Sequence, residues 1–217
     1  MSDSLTTLIS KIQATLGDDG TVFTTPHITA ALRLALDDWN ERAPVFAAAT
    51  VDVVADQKEY EVTDEDPDAV DVIDVLLKGT DTAEDNHTSL VFDKYTEDAS
   101  LFIRLQTAQA SSTDHLIIRY TKPHTINGLD SENESTLPNS DDPSLVIGGA
   151  YYSLVLRAAA RIETINLQKD VSDNYKEIAA TLKERWERRL ARAAAMRPPV
   201  GNPNGFAWND QWYGWNK

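Results

Sequence analysis

The densest run of side chains able to do chemistry is "DEDPDAVDVID", which begins at Asp64. Asp64, Asp66 and Asp68 alternate as the first ligands of a calcium-binding EF-hand loop do. That loop also needs glycine at its sixth position and glutamate at its twelfth. Ala69 and Val75 stand there, and Pro67 interrupts the run. A solvated acidic turn leading into a strand is therefore the expected reading. His27, His87, His115 and His124 are never three or four residues from one another, so they form no helical metal pair. The chain has no G-x-S-x-G elbow, no P-loop and no G-x-G-x-x-G, and no cysteine at all. Without cysteine there are no disulfides, thiolate nucleophiles or Cys-type zinc sites, which fits assembly in a reducing cytoplasm. With carboxylates so abundant, no single pair of them stands out as an acid and base. No cofactor is expected, and the chain does not read as an enzyme.

Two other constellations remain. "KERWERRLARAAAMR" sets Lys183, Arg185, Arg188, Arg189, Arg192 and Arg197 against Glu184 and Glu187. Glu184 and Arg188 make an ordinary i,i+4 pair, and cations near a helix C-terminus suit its dipole. The remaining arginines form a basic ridge suited to an acidic partner, with Trp186 expected beside them as an interface anchor. The closing stretch "GNPNGFAWNDQWYGWNK" places Phe206, Trp208, Trp212, Tyr213 and Trp215 among glycine, proline and asparagine. It has no helical stripe and no strand alternation, so these aromatics are expected to serve a partner rather than a core of their own.

Charge separates the chain into two parts. Its 217 residues carry −15 overall; residues 1–140 hold 26 acidic and 9 basic residues, whereas 141–217 hold 9 and 11. A strongly acidic body does not wrap nucleic acid, because phosphate binding needs Lys and Arg to release counterions. Acidic surfaces also serve solubility or a saline habitat. No apolar run reaches the roughly 18 residues that cross a bilayer, and the first residues lack the pattern of a secretory signal, so no membrane is expected as a partner.

The elements that must position these residues follow from periodicity. Leu5, Leu8, Ile9, Ile12 and Leu16 mark a first helix between Ser4 and Gly17. A second opens with Thr25 as N-cap and Pro26 in its first turn, and stops at Pro44. Runs such as "TVDVVADQKEYEV", "AVDVIDVLLKG", "TSLVF", "SLFIRLQ" and "DHLIIRY" alternate as strands. Residues 45–122 are therefore expected to form an antiparallel β-sandwich or small barrel, followed by a polar linker over 123–141. Asp142-Pro143 caps an apolar helix that contains Gly148 and Gly149. Each glycine would weaken an isolated helix by about 1 kcal/mol, so close packing is expected there. A last helix runs from about Val171 to Met196, with Val171, Tyr175, Ile178, Leu182, Trp186 and Leu190 on one stripe. The fold class is α+β: a bundle of about four helices over 1–44 and 142–197, a β insert over 45–122, and a C-terminal tail over 198–217.

In this order of elements the sequence resembles the head–tail adaptor (connector or neck) proteins of tailed bacteriophages. The resemblance rests on "HITAALRLALDDWNERAP", with Trp39 and Pro44; on a closing strand with Ile118, Tyr120 and Pro123; and on "LPNSDDPSLVIGGAYYSLVL", with Leu137, Pro138 and the helix Leu145–Leu156. It implies a structural virion protein of the neck, assembled in the host cytoplasm and attached as a ring, commonly a dodecamer, beneath the portal protein. The ring would extend the channel through which DNA is ejected without specific binding, and would meet a downstream tail or stopper protein. The aromatic tail (Phe206, Trp208, Trp212, Tyr213, Trp215) and Arg185, Arg188, Arg189 and Arg192 are the residues expected to grip the portal or another partner. The competing expectations are a tail-associated β-sandwich binding module that oligomerises through its helices and, further behind, a hydrolase.

Overall fold

The computed structural model describes residues 3–78, 87–109, 114–130, 135–137, 141–164 and 169–195, with side chains in 161–164 and 169–172 outside the description. The chain is α+β and divides into two compact units. One comprises the four helices with the described residues of 123–137. The other holds the seven strands.

In the helical unit, α1 (Leu5–Leu16) turns Leu8, Ile9 and Ile12 inward. It ends at Gly17, whose φ of 66° lies where a Cβ would be strained. The Gly17 and Asp18 amides bond the carbonyls of Ala14 and Gln13 and so close the last turn. Helix α2 (Thr25–Arg42) begins one residue earlier than the Thr25 cap expected from sequence. Thr24 is extended and its carbonyl accepts from Ile28 N at 3.0 Å, so Thr24 holds the cap position and Thr25 is already helical. Ile28, Ala31, Leu32, Ala35, Leu36 and Trp39 are its buried stripe.

Helix α3 (Asp142–Thr164) shows the same one-residue shift. The Asp141 carbonyl accepts from Ser144 and Leu145 amides, and Asp142, expected as the cap, is the first helical residue. The Asp142 carboxylate is buried instead and accepts the Asp3 amide at 3.0 Å. Its burial raises its pKa. Helix α4 (Lys169–Ala195) packs Ala179, Leu182, Trp186 and Leu190 into the shared core, with Tyr175 partly buried against it. Ile178, expected on the same stripe, is 53% exposed.

The stretch expected to be a polar linker contributes to this core as well. Ile126, Leu129 and Leu137 are buried in it. Arg33 donates to the Leu129 carbonyl and pairs with Asp130, and Leu5 N donates to the Asn127 carbonyl. Polar side chains here, among them Asp130, Ser135 and Thr136, accept hydrogen bonds from the backbone amides of Ile126, Asn127 and Thr125, while every few residues an apolar side chain is tucked inward.

The β unit has two sheets. Strands β1 (Val45–Asp52), β7 (His115–Lys122), β3 (Asp71–Lys78) and β4 (His87–Ser89) follow one another in the first, and β2 (Glu59–Glu61), β6 (Ser100–Leu105) and β5 (Phe92–Glu97) in the second. The β3–β7 pair is antiparallel, with Val75 opposite Ile118, and shifts register between Val72 and Asp74. Alternate residues of β6 and β7, among them Ile103, Leu105, Leu116, Ile118 and Tyr120, meet Val72, Val75 and Tyr60 in one core. Two runs that read as single strands are divided between the sheets. Val53–Lys58 turns the chain through Asp56, at φ 62°, and Leu90–Val91 passes it from β4 to β5.

Candidate functional site

Arg185, Arg188, Arg189 and Arg192 come together on the exposed side of α4. With Ile147 of α3 they line an open cleft of about 440 Å³. Their spacing of three, four and seven residues is one helical face. Arg188 is held by Glu184 at 2.9 Å, and Lys183 lies 3.6 Å from Glu187. Among the described residues, no carboxylate lies within ion-pair distance of Arg185, Arg189 or Arg192. The cleft is thus a guanidinium surface with one apolar side chain in its lining. It suits carboxylates or another planar anion, which arginine grips through two parallel N–H donors. Nothing local in the sequence pointed to Ile147; only the packing of α3 against α4 brings it into the same cleft as the arginines.

Trp186 is not part of that surface. It is 1% exposed and stacks on Trp39 with ring centroids 5.8 Å apart and planes inclined by 29°. Its indole Nε1 donates to Asp38 Oδ2 at 3.3 Å, and the Tyr152 hydroxyl donates to the same oxygen. Desolvation and this carboxylate raise the Tyr152 pKa, keeping the hydroxyl a donor. The arginines and Trp186 are interleaved along the sequence but point to adjacent sides of the helix, the arginines outward and Trp186 into the core, so the anchor role expected for Trp186 is replaced by a core role.

Gly148 and Gly149 explain how the tryptophans fit. A Cβ on Gly148 would come within 3.0 Å of the Trp186 ring and of Ala35 Cβ. One on Gly149 would meet Ile12 Cδ1 at 2.5 Å. The α3 backbone therefore approaches α1, α2 and the indole of α4 so closely that a Cβ at either position would have to displace a neighbour.

The acidic run at 64–74 is used structurally. Asp66 accepts from Tyr120 OH and Lys122 Nζ, each at 2.8 Å, and from the Asp68 amide. Burial alone would raise its pKa, but these hydrogen bonds and the lysine charge outweigh it and lower the value. Asp64, Glu65 and Asp68 stay exposed around this fixed point. Among the described residues no three His, Asp or Glu side chains gather as metal ligands. His27 Nε2 lies 2.9 Å from the Ser153 carbonyl, and His115 Nδ1 lies 2.8 Å from Asp52. His124 is buried between the Ala43 carbonyl and the Thr136 hydroxyl, and its own amide donates to Asn40.

Phe206, Trp208, Trp212, Tyr213 and Trp215, with the rest of 196–217, lie outside the described residues. Among those described, no helix is long and apolar enough to cross a membrane.

No protein-family model matches the chain, and no curated protein does. Among solved structures it is similar to a chain from the neck of an empty GTA (gene transfer agent) particle, computed with C6 symmetry. The TM-score is 0.32 at 10% identity, over 66% of this chain and 75% of that one. A likeness of that size leaves the function of this chain to be argued from its own residues.

Proposed function

We propose that this chain is a structural protein of a tailed-phage-like particle, a head–tail adaptor that forms a ring beneath the portal and carries the DNA channel toward the tail. The observation supporting this reading most directly is where the segments resembling the adaptor family sit. Trp39 stacks on Trp186, Tyr120 holds the acidic turn through Asp66, and Gly148 and Gly149 seat α3 against three other helices. All three segments are used for packing, as a scaffold requires, and none presents a nucleophile or an acid–base pair.

An acidic wall suits a DNA conduit because it repels phosphate and lets the duplex slide. In this reading the aromatic residues Phe206, Trp208, Trp212, Tyr213 and Trp215 dock on the portal. A single tail would bind weakly, since the cost of ordering some twenty residues offsets much of the gain from burying the rings; a ring of tails would bind tightly through effective concentration. No bound group takes part.

The test is assembly. Mixed with its portal, the chain is expected to appear by mass photometry and negative-stain microscopy as rings stacked on the portal, and duplex DNA is expected to bind it poorly at modest ionic strength. A stable trimer with no affinity for the portal would overturn the reading in favour of a binding module. Turnover of a polysaccharide would overturn it in favour of a hydrolase.

A further inference from the structure

We infer that the arginine cleft of α4 docks the acidic turn at residues 64–70 of a second copy of this chain. The inference rests on the ring reading above and names the contact that would join neighbouring subunits. Three observations lead to it. First, Arg185, Arg189 and Arg192 are exposed, share one face, and have no carboxylate partner among the described residues of their own copy. Residues 183–192 carry five basic and two acidic side chains, so the surface needs an acidic complement.

Second, this chain itself supplies that complement. Residues 46–122 hold 17 acidic and six basic residues. Within them, Asp64, Glu65 and Asp68 project from a turn that is already rigid. Asp66 is pinned by Tyr120 and Lys122, and the Glu65 and Asp66 amides bond the Val62 carbonyl. A preformed turn gives up little entropy on docking. Third, the shapes agree in polarity. Val70, at the end of the turn, is 66% exposed, and the cleft has the apolar side chain of Ile147 between its arginines.

A protein occupant fits better than a nucleic acid. Arg185 to Arg192 span about 10 Å of helix, too short to follow a phosphate backbone, and Glu184 and Glu187 interrupt the field. A patch meeting a different patch on the next copy is a heterologous contact, the kind that closes into rings, whereas a self-complementary contact stops at a dimer.

A charge-swap pair tests this on the full-length chain. Sedimentation velocity at low salt is expected to show self-association of the native protein that weakens about tenfold when ionic strength rises to a few hundred millimolar. Arg185→Glu/Arg189→Glu and Asp64→Lys/Glu65→Lys are each expected to lose that association while keeping the native melting transition. Mixed together, the two variants are expected to associate with each other. Native-like association of either variant alone, no recovery in the mixture, or no salt-sensitive association of the native protein would overturn the inference. So would duplex DNA binding that disappears in Arg185→Glu/Arg189→Glu. Portal binding measured in parallel separates the two proposals. Recovery without portal binding would sink the adaptor reading and leave this contact standing, whereas portal binding without recovery would do the reverse.

Discussion

Neighbouring glycines in α3 have different tolerances because different atoms face them. Alanine at either position would gain about 1 kcal/mol in helix propensity. At Gly148 the new methyl meets the Ala35 Cβ, which has no torsion to yield, and a buried indole that can turn only by disturbing its stack on Trp39. Gly148→Ala is therefore expected to lower stability by about 1–2 kcal/mol net. At Gly149 the closest atom is the end of the Ile12 side chain, which can change rotamer, so Gly149→Ala is expected to lie within about 1 kcal/mol of the native protein. Urea denaturation of both variants checks the order; equal losses would contradict it. His124 gives a second residue-scale prediction. Burial pushes its pKa down to about 4, against 6.5 in the unfolded chain. The folded form thus binds the proton less readily. Its contribution to stability is complete above pH 6.5 and is lost as pH falls toward 4, by up to roughly 3 kcal/mol. In His124→Gln the stability difference between pH 7 and pH 4.5 should shrink by a comparable amount; an unchanged difference would show that His124 is protonated in the fold.

At the scale of elements, helix α4 has two faces with different duties. Trp186→Ala is expected to cost about 3–5 kcal/mol, because it opens a cavity against Trp39 and leaves Asp38 with one donor fewer. Arg185→Ala, on the exposed face, should change stability by no more than about 0.5 kcal/mol. Similar losses for both in thermal denaturation would refute this division. The β5–β6 hairpin turns through Asp98 and Ala99, at φ 49° and 70°. A two-residue loop with both residues left-handed suits Asn-Gly, and "EDAS" lacks that signal. Ala99→Gly should relieve the strain and raise stability by about 1 kcal/mol in the same assay.

For the whole molecule, the helical core is lined by Trp39, Trp186, Leu8, Ile12 and Leu145, all nearly inaccessible to solvent. If residues 201–217 serve the portal and not this core, their deletion should leave the melting temperature nearly unchanged and abolish portal attachment. A large fall in melting temperature would assign the tail tryptophans to the fold. Charge acts at this scale too. With −15 on one chain, copies brought side by side repel, so a contact that places opposite charges face to face offsets part of that repulsion.

Periodicity alone was enough to find the four helices, most strands and the α+β class. An amphipathic stripe or an alternating run follows from which side must be dry, and that is a local property of the chain. Where a helix starts was legible only to within a residue or two: Thr24 and Asp141, not Thr25 and Asp142, hold the cap positions, and α4 begins at Lys169 where about Val171 was expected, because backbone geometry selects among adjacent candidates. The arginine stripe was legible for the same reason as the helices. The place of Ile147 in the lining of its cleft was not, since that depends on where α3 crosses α4; nor was the stacking of Trp186, already on the apolar stripe, against Trp39. The sequence also concealed that Val53–Lys58 and Leu90–Val91 pass the chain from one sheet to the other, and that Ile126, Leu129 and Leu137 belong to a core. Such choices are settled by contacts between residues far apart in the chain, and no local pattern encodes them. The sequence by itself determined which faces are apolar and which are charged; the tertiary structure decided which apolar faces meet, and so which charges remain for a partner.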